Sequence, residues 1–160
     1  MKKGQDIKEM LTQINEDTKN KRDYLVDLNG MQISASNNTF PTLSVDHLTT
    51  GEYQLTDNSL NQLCGRLEIG TRYISKCLPV SQELVNHNLN FWIKNNKQKE
   101  LMLRTYDKEP MNEVRAIMSN RYKRIDSDVV ANSTLNKLMD MGAELKYSNY
   151  DRDTMNITAV

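Results

Sequence analysis

Nucleophilic and general-base chemistry depend on few residue types, and this chain is poor in them. Its histidines are His47 and His87, and its cysteines are Cys64 and Cys77. His47 follows Asp46, and a neighbouring carboxylate can raise an imidazole pKa. In an extended segment, however, adjacent side chains point to opposite faces. His87, in NHNLN, reads as a half-buried helix residue rather than a base. A metal-dependent nuclease needs converging carboxylates, and Asp126 and Asp128 with Glu109 or Glu113 are the candidates. Asp126 and Asp128 flank a helix start, where capping is a sufficient role. The cysteines lack a CxxC spacing, so no four-ligand zinc pattern forms, and they are expected to be reduced and buried. The six glycines are isolated, with no GxxxxGK phosphate loop. The expectation is a protein without catalytic activity, cofactor or metal.

The chemistry that is left is electrostatic. Residues 119–126 read SNRYKRID, which sets Arg121, Tyr122, Lys123 and Arg124 in a row. Across residues 94–124 there are nine cations and four anions, and the rest of the chain balances this excess, since 21 Lys and Arg offset 21 Asp and Glu. A generally basic nucleic-acid binder is excluded, so any footprint must be local. Arg104 and Arg115 lie on two alternating segments, ELMLRTYD and NEVRAIMSN. If register puts them on one face, they form with Tyr106 a cationic sheet surface suited to phosphates and stacked bases. Register is not set by the sequence. The competing expectation is a solvated face whose arginines pair with Asp107 or Glu113. The candidate nucleic-acid-binding residues are Arg104, Arg115, Arg121, Tyr122, Lys123 and Arg124.

Hydrophobic periodicity supplies the elements that must carry these residues. Ile7, Met10, Leu11 and Ile14 follow helical spacing over 5–20. Asn29-Gly30 between apolar runs predicts a tight hairpin joining strands Tyr24–Leu28 and Met31–Ser34. Residues 35–50 read as loop. A helix opens at Thr56 or Asp57, carries Leu60, Leu63, Cys64 and Leu67, and stops at Gly70. A short helical piece spans Thr71–Leu78. The next helix opens at Ser81 and buries Val85, Leu89, Trp92 and Ile93. The period then changes from 3.6 to 2 over 100–107 and 112–120, an antiparallel pair joined by DKEPMN. A helix over 127–141, capped by Asp126 or Ser127 and ended by Gly142, precedes strand-like runs Glu144–Tyr150 and Thr154–Val160 around YDRD. The expected fold class is α+β, N-terminal helices packed on an antiparallel sheet. A single domain over 1–160 is expected. The run that stops at ITAV inside an alternating strand suggests the N-terminal part of a longer protein or an edge strand.

Three blocks, in order, resemble the phage- and plasmid-associated family called domain of unknown function 932. LTDNSLNQLCGRLEIGTRYISKCLP is similar to that family's pattern T-D-x-A-x-x-Q-L-C-x-R-L-G-I-P-x-x-Y-x-x-x-L. NHNLNFWIKN is similar to its VNxWL segment, and ELMLRTYD with EVRAIMSNRYKRID to its R-T…VRAFLSDRY-x-x-x-D core. The likeness covers roughly residues 45–140. It departs at Glu68-Ile69-Gly70, where the pattern has Gly-Ile-Pro. The resemblance implies a mobile genetic element as origin and a nucleic-acid context, and it brings no catalytic residue.

The expected function is nucleic-acid binding without catalysis, with single-stranded DNA in replication or recombination as the leading ligand. The alternative is a mobile-element protein that binds and inhibits a host protein such as a defence nuclease. The polar start MKKGQDIKEML has no signal-peptide character, and no stretch is apolar enough for a membrane span. The expected setting is cytoplasmic, with oligomerisation left open.

Overall fold

A computed structural model describes residues 6–36, 40–48, 51–107, 111–151 and 154–160. In chain order the elements are α1 (Ile7–Asn20), β1 (Lys21–Asp27), a 3-10 turn (Leu28–Gly30), β2 (Met31–Ser34), β3 (Thr42–Val45), β4 (Tyr53–Leu55), α2 (Asp57–Arg66), α3 (Thr71–Cys77), α4 (Gln82–Lys94), β5 (Glu100–Tyr106), β6 (Asn112–Ser119), α5 (Ser127–Asp140), β7 (Leu145–Tyr150) and β8 (Met155–Ala159). The fold is α+β, as its residue patterns predict. Lys108 and Glu109 of the DKEPMN connection, and positions 152–153 of the last turn, lie outside the described residues. Among the described residues no helix is long and apolar enough to cross a membrane. The contacts divide the chain into two compact units, one of residues 21–122 and one of residues 1–20 with 123–160.

In the larger unit, six strands form one sheet in the order β1-β5-β6-β4-β3-β2. The sheet is mixed, not purely antiparallel, because β4 and β6 run parallel. Parallel neighbours need a long crossover, and α2, α3 and α4 with β5 supply it. The expected β1–β2 hairpin does not form. β1 pairs with β5 and β2 with β3, so the two strands occupy opposite edges. The turn between them is held by the Asp27 carboxylate, which accepts from the Asn29 N–H at 2.8 Å, and Gly30 keeps a negative φ.

This connection dictates the shape of the sheet. Laid flat at the usual spacing, six strands would separate the edges by about 24 Å. The four steps from Asp27 to Met31 can span at most about 14 Å. The sheet must therefore curl until its edges approach, in the manner of a partly closed barrel. Its inner face supplies Val26, Ile33, Leu43, Tyr53, Leu101, Leu103, Val114 and Ile117 to one core. The helices add Leu60, Leu63, Cys64, Ile74, Val85, Leu89 and Ile93 to it. Strand β3 arises where the sequence reads as loop, and β4 in the short stretch before α2 that carries no assigned element, because runs of four and three residues are too short to display a period.

Two helices cover open strand edges with carboxamide side chains spaced i, i+4. On α4, Asn90 accepts from the Ile33 N–H and donates to the Ile33 carbonyl, both at 2.8 Å. Asn86 does the same for Ala35, at 2.6 and 3.4 Å. On α2, Gln62 accepts from the Ile117 N–H at 2.6 Å and Asn58 donates to the Arg115 carbonyl at 3.1 Å. Unpaired edge groups in a buried setting are costly and invite foreign strands, so these contacts both seat the helices and close the edges.

Helix ends follow local chemistry. Thr56 and Ser59 form a reciprocal capping box at the start of α2. Gly70 is not the stop of α2 but the N-cap of α3. The chain leaves α2 through Glu68, at φ +58°. The Glu68 N–H bonds to the Gly65 carbonyl and the Ile69 N–H to the Cys64 carbonyl, the Schellman arrangement.

In the smaller unit, α1 packs against α5 and the β7–β8 hairpin around Met10, Ile14, Ala131, Leu135 and Tyr150. The Tyr150 hydroxyl donates to the Asp17 carboxylate at 2.8 Å, with both residues buried. Gly142, at φ +71°, ends α5 as its position predicts.

Candidate nucleic-acid interface

The candidate cations fall on both units. Arg104, Arg115, Arg121 and Tyr122 belong to the larger one, Lys123 and Arg124 to the smaller.

On the sheet, the register sets Arg104 opposite Asp23 on β1 and opposite Ala116 on β6. Asp23 and Arg104 meet as a two-pronged ion pair, at 2.8 and 2.9 Å. Their side chains are 16% and 15% exposed. This guanidinium is committed to tying β1 to β5, and its charge is already balanced. It also lies over the Tyr122 ring, 5.6 Å from the centroid. The register shifts beside Arg104, leaving Arg115 as the extra residue of a β-bulge. Arg115 is thereby aimed at Tyr106, its guanidinium 5.8 Å from that ring's centroid. Tyr106 is buried, so it packs rather than stacks on a ligand. Tyr122 differs, being 39% exposed.

After β6 the chain turns, with the Tyr122 N–H bonded to the Ser119 carbonyl at 3.0 Å. Arg121 is exposed and makes no ion pair among the described residues. In the smaller unit Lys123 is likewise exposed without an ion pair among the described residues. Arg124 is paired, with Nε 2.7 Å from Asp126 Oδ1. Asp126 occupies the N-cap position of α5 but makes no side-chain cap bond, because its carboxylate serves Arg124. Among the described residues no three His, Cys, Asp or Glu side chains converge in a way that could hold a metal ion. Of the six candidates, the structure joins Arg104 to Tyr122, ties two cations to carboxylates and leaves Arg121 and Lys123 open to solvent.

A second exposed surface lies on α3 and α4, and the sequence pattern hides it by assigning Trp92 to the buried stripe. Val85, Leu89 and Ile93 are buried, but Trp92 is 46% exposed. The edge contacts of Asn86 and Asn90 explain the difference. At about 100° per residue, they rotate the docked face of α4 toward β2 and leave Trp92 at its margin. Beside it Phe91 is 49% exposed. The two rings meet edge to face at 5.3 Å, and His87 stacks on Phe91 at 6.1 Å. Asn88 reaches the Tyr73 hydroxyl at 3.4 Å, which brings this exposed ring of α3 beside α4. An open groove of about 1000 Å³ shares His87 and Phe91 with this surface and is lined also by Asp46, Glu83 and Lys94 among others. Its two carboxylates against one ammonium do not suit a polyanion.

No protein-family model matches this chain, and neither does any curated protein or solved structure.

Proposed function

We propose that this protein binds nucleic acid without catalysing a reaction, as a phage- or plasmid-derived factor acting in the cytoplasm on single-stranded DNA during replication or recombination. One observation carries the reading. The Tyr122 ring is exposed yet backed by the Arg104 guanidinium, which Asp23 holds by two hydrogen bonds. An aromatic ring fixed in this way is a ready stacking surface, and stacking on bases tolerates any sequence. Arg121, its exposed neighbour, can reach phosphate. Arg104 here acts as a positioning residue rather than a phosphate ligand.

The likeness to domain of unknown function 932 supports the same context. Its main departure falls at Glu68, where that pattern has Gly. The left-handed backbone at Glu68 is the conformation that Gly favours.

The test is anisotropy of a labelled single-stranded oligonucleotide across a salt series. Binding should weaken steeply with salt, and Arg121→Ala should flatten the slope by about 0.7 for the phosphate no longer neutralised. An unchanged affinity and slope would refute this surface. A second reading, inhibition of a host protein, draws on α5 in the smaller unit. There Val129 and Met139, with Met141 just beyond, stand 57%, 66% and 70% exposed. A host protein retained after nuclease treatment and released by Met139→Lys would support it.

A further inference from the structure

The exposed rings of α3 and α4 fall in a stretch of the chain rich in cations. Between residues 66 and 99 the charged side chains are Arg66, Arg72, Lys76, Lys94, Lys97 and Lys99 against Glu68 and Glu83. All six cations are exposed, and none makes an ion pair among the described residues. This contrasts with Arg104 and Arg124, whose charges are balanced by neighbouring carboxylates. Tyr73, Phe91 and Trp92 are each close to half exposed, which is unusual for large apolar side chains clustered together. Exposed rings with Arg72 and Lys76 one and three positions from Tyr73 on α3 match the two requirements of single-strand recognition, a π surface for bases and positive charge for the backbone.

We propose that this face is a stacking surface for single-stranded nucleic acid. Bases would lie on Trp92, Phe91 and Tyr73, and the backbone would track Arg72 and Lys76 of α3. The inference rests on the nucleic-acid reading above and adds a second contact surface within the larger unit. The T-shaped Phe91–Trp92 pair holds the indole in a defined orientation. Duplex DNA hides its base faces, so the surface discriminates against it.

Trp92 is the only tryptophan of the chain, and its emission therefore reports this surface alone. The experiment titrates full-length protein with a thymidine 20-mer and with a duplex of equal length, following Trp92 fluorescence and, separately, oligonucleotide anisotropy. The single strand should quench Trp92 with the same midpoint as the anisotropy change, reversed by salt, and the duplex should not. Phe91→Ala and Trp92→Ala should each weaken binding about 5- to 150-fold, the range of losing one stacked base. Circular dichroism confirms that each variant is folded. Arg72→Ala with Lys76→Ala should reduce the salt slope in a chain whose rings are intact. If the oligonucleotide binds while Trp92 emission and the Phe91 and Trp92 variants are unaffected, this surface is refuted and the Arg121–Tyr122 surface stands. If no oligonucleotide binds at low salt, both fall. A blue shift of Trp92 with protein concentration alone would assign the patch to a second copy of the chain and overturn the inference.

Discussion

Replacing Asn90 with Leu tests how the larger unit closes its sheet. The two side chains share one branched shape, so the change removes hydrogen-bonding groups without altering the branching. What disappears is the pair of 2.8 Å bonds to the N–H and carbonyl of Ile33, a residue only 2% exposed. Leu can offer neither group a partner, and water reaches them poorly. An orphaned buried polar group costs about 1–3 kcal/mol, so two of them, at an edge that can relax, should cost about 2–4 kcal/mol. That is a large share of the roughly 5–15 kcal/mol that stabilises a domain. Urea unfolding followed by Trp92 fluorescence is the assay, since the indole sits on the same helix. With a urea dependence of about 1–3 kcal/mol per molar, the midpoint should fall by roughly 1–2 M. Asn86→Leu should cost less, because one of its two bonds is long at 3.4 Å. An Asn90→Leu protein within about 0.5 kcal/mol of wild type would show that these bonds are incidental and that α4 is seated by its apolar face alone.

Two further outcomes are expected. Glu68→Gly should stabilise the protein by about 0.5–1 kcal/mol, because Gly adopts a positive φ without steric cost; a lower unfolding midpoint would contradict the capping account of the α2 end. Burial pushes the Cys64 thiol above its ordinary value of 9.0, with a hydrogen bond from Thr71 opposing part of the effect. The unfolded chain therefore ionises this thiol first. The associated stability is complete below pH 9 and declines as the pH rises from there toward the higher folded value. A Cys64→Ala variant should lack this alkaline component, and thiol titration of the native protein at about pH 8 should label Cys77, the more exposed of the two, well before Cys64.

Much of the architecture is legible in local patterns. Helical stripes place α1, α2 and α4 because a buried face repeats every 3.6 residues whatever it packs against, and the cap and stop residues place α5. The alternation of Leu101 and Leu103 against Met102 and Arg104 marks β5, and its neighbour β6, for the same reason. Asparagine carries no signal in a pattern of apolar periods. In the fold, Asn58, Asn86 and Asn90 are edge closures, a role invisible until the strands they serve are known.

The sequence by itself determined the α+β class, the helices and the strands other than β3 and β4, the start of α2 at Thr56 or Asp57, the stop at Gly142, and the local excess of positive charge. These are matters of neighbours within a few residues, where backbone preference and side-chain period act directly. Only the tertiary structure decided that β1 leaves β2 for β5, that β4 and β6 run parallel, and that the sheet curls. It also decided that Asp23 neutralises Arg104, across 81 residues of chain, and that Trp92 faces solvent. Those outcomes depend on register and on the rotation of a docked helix. Both are fixed by contacts distant in sequence, and a period of about 2 or 3.6 describes which face is buried without naming the partner that buries it.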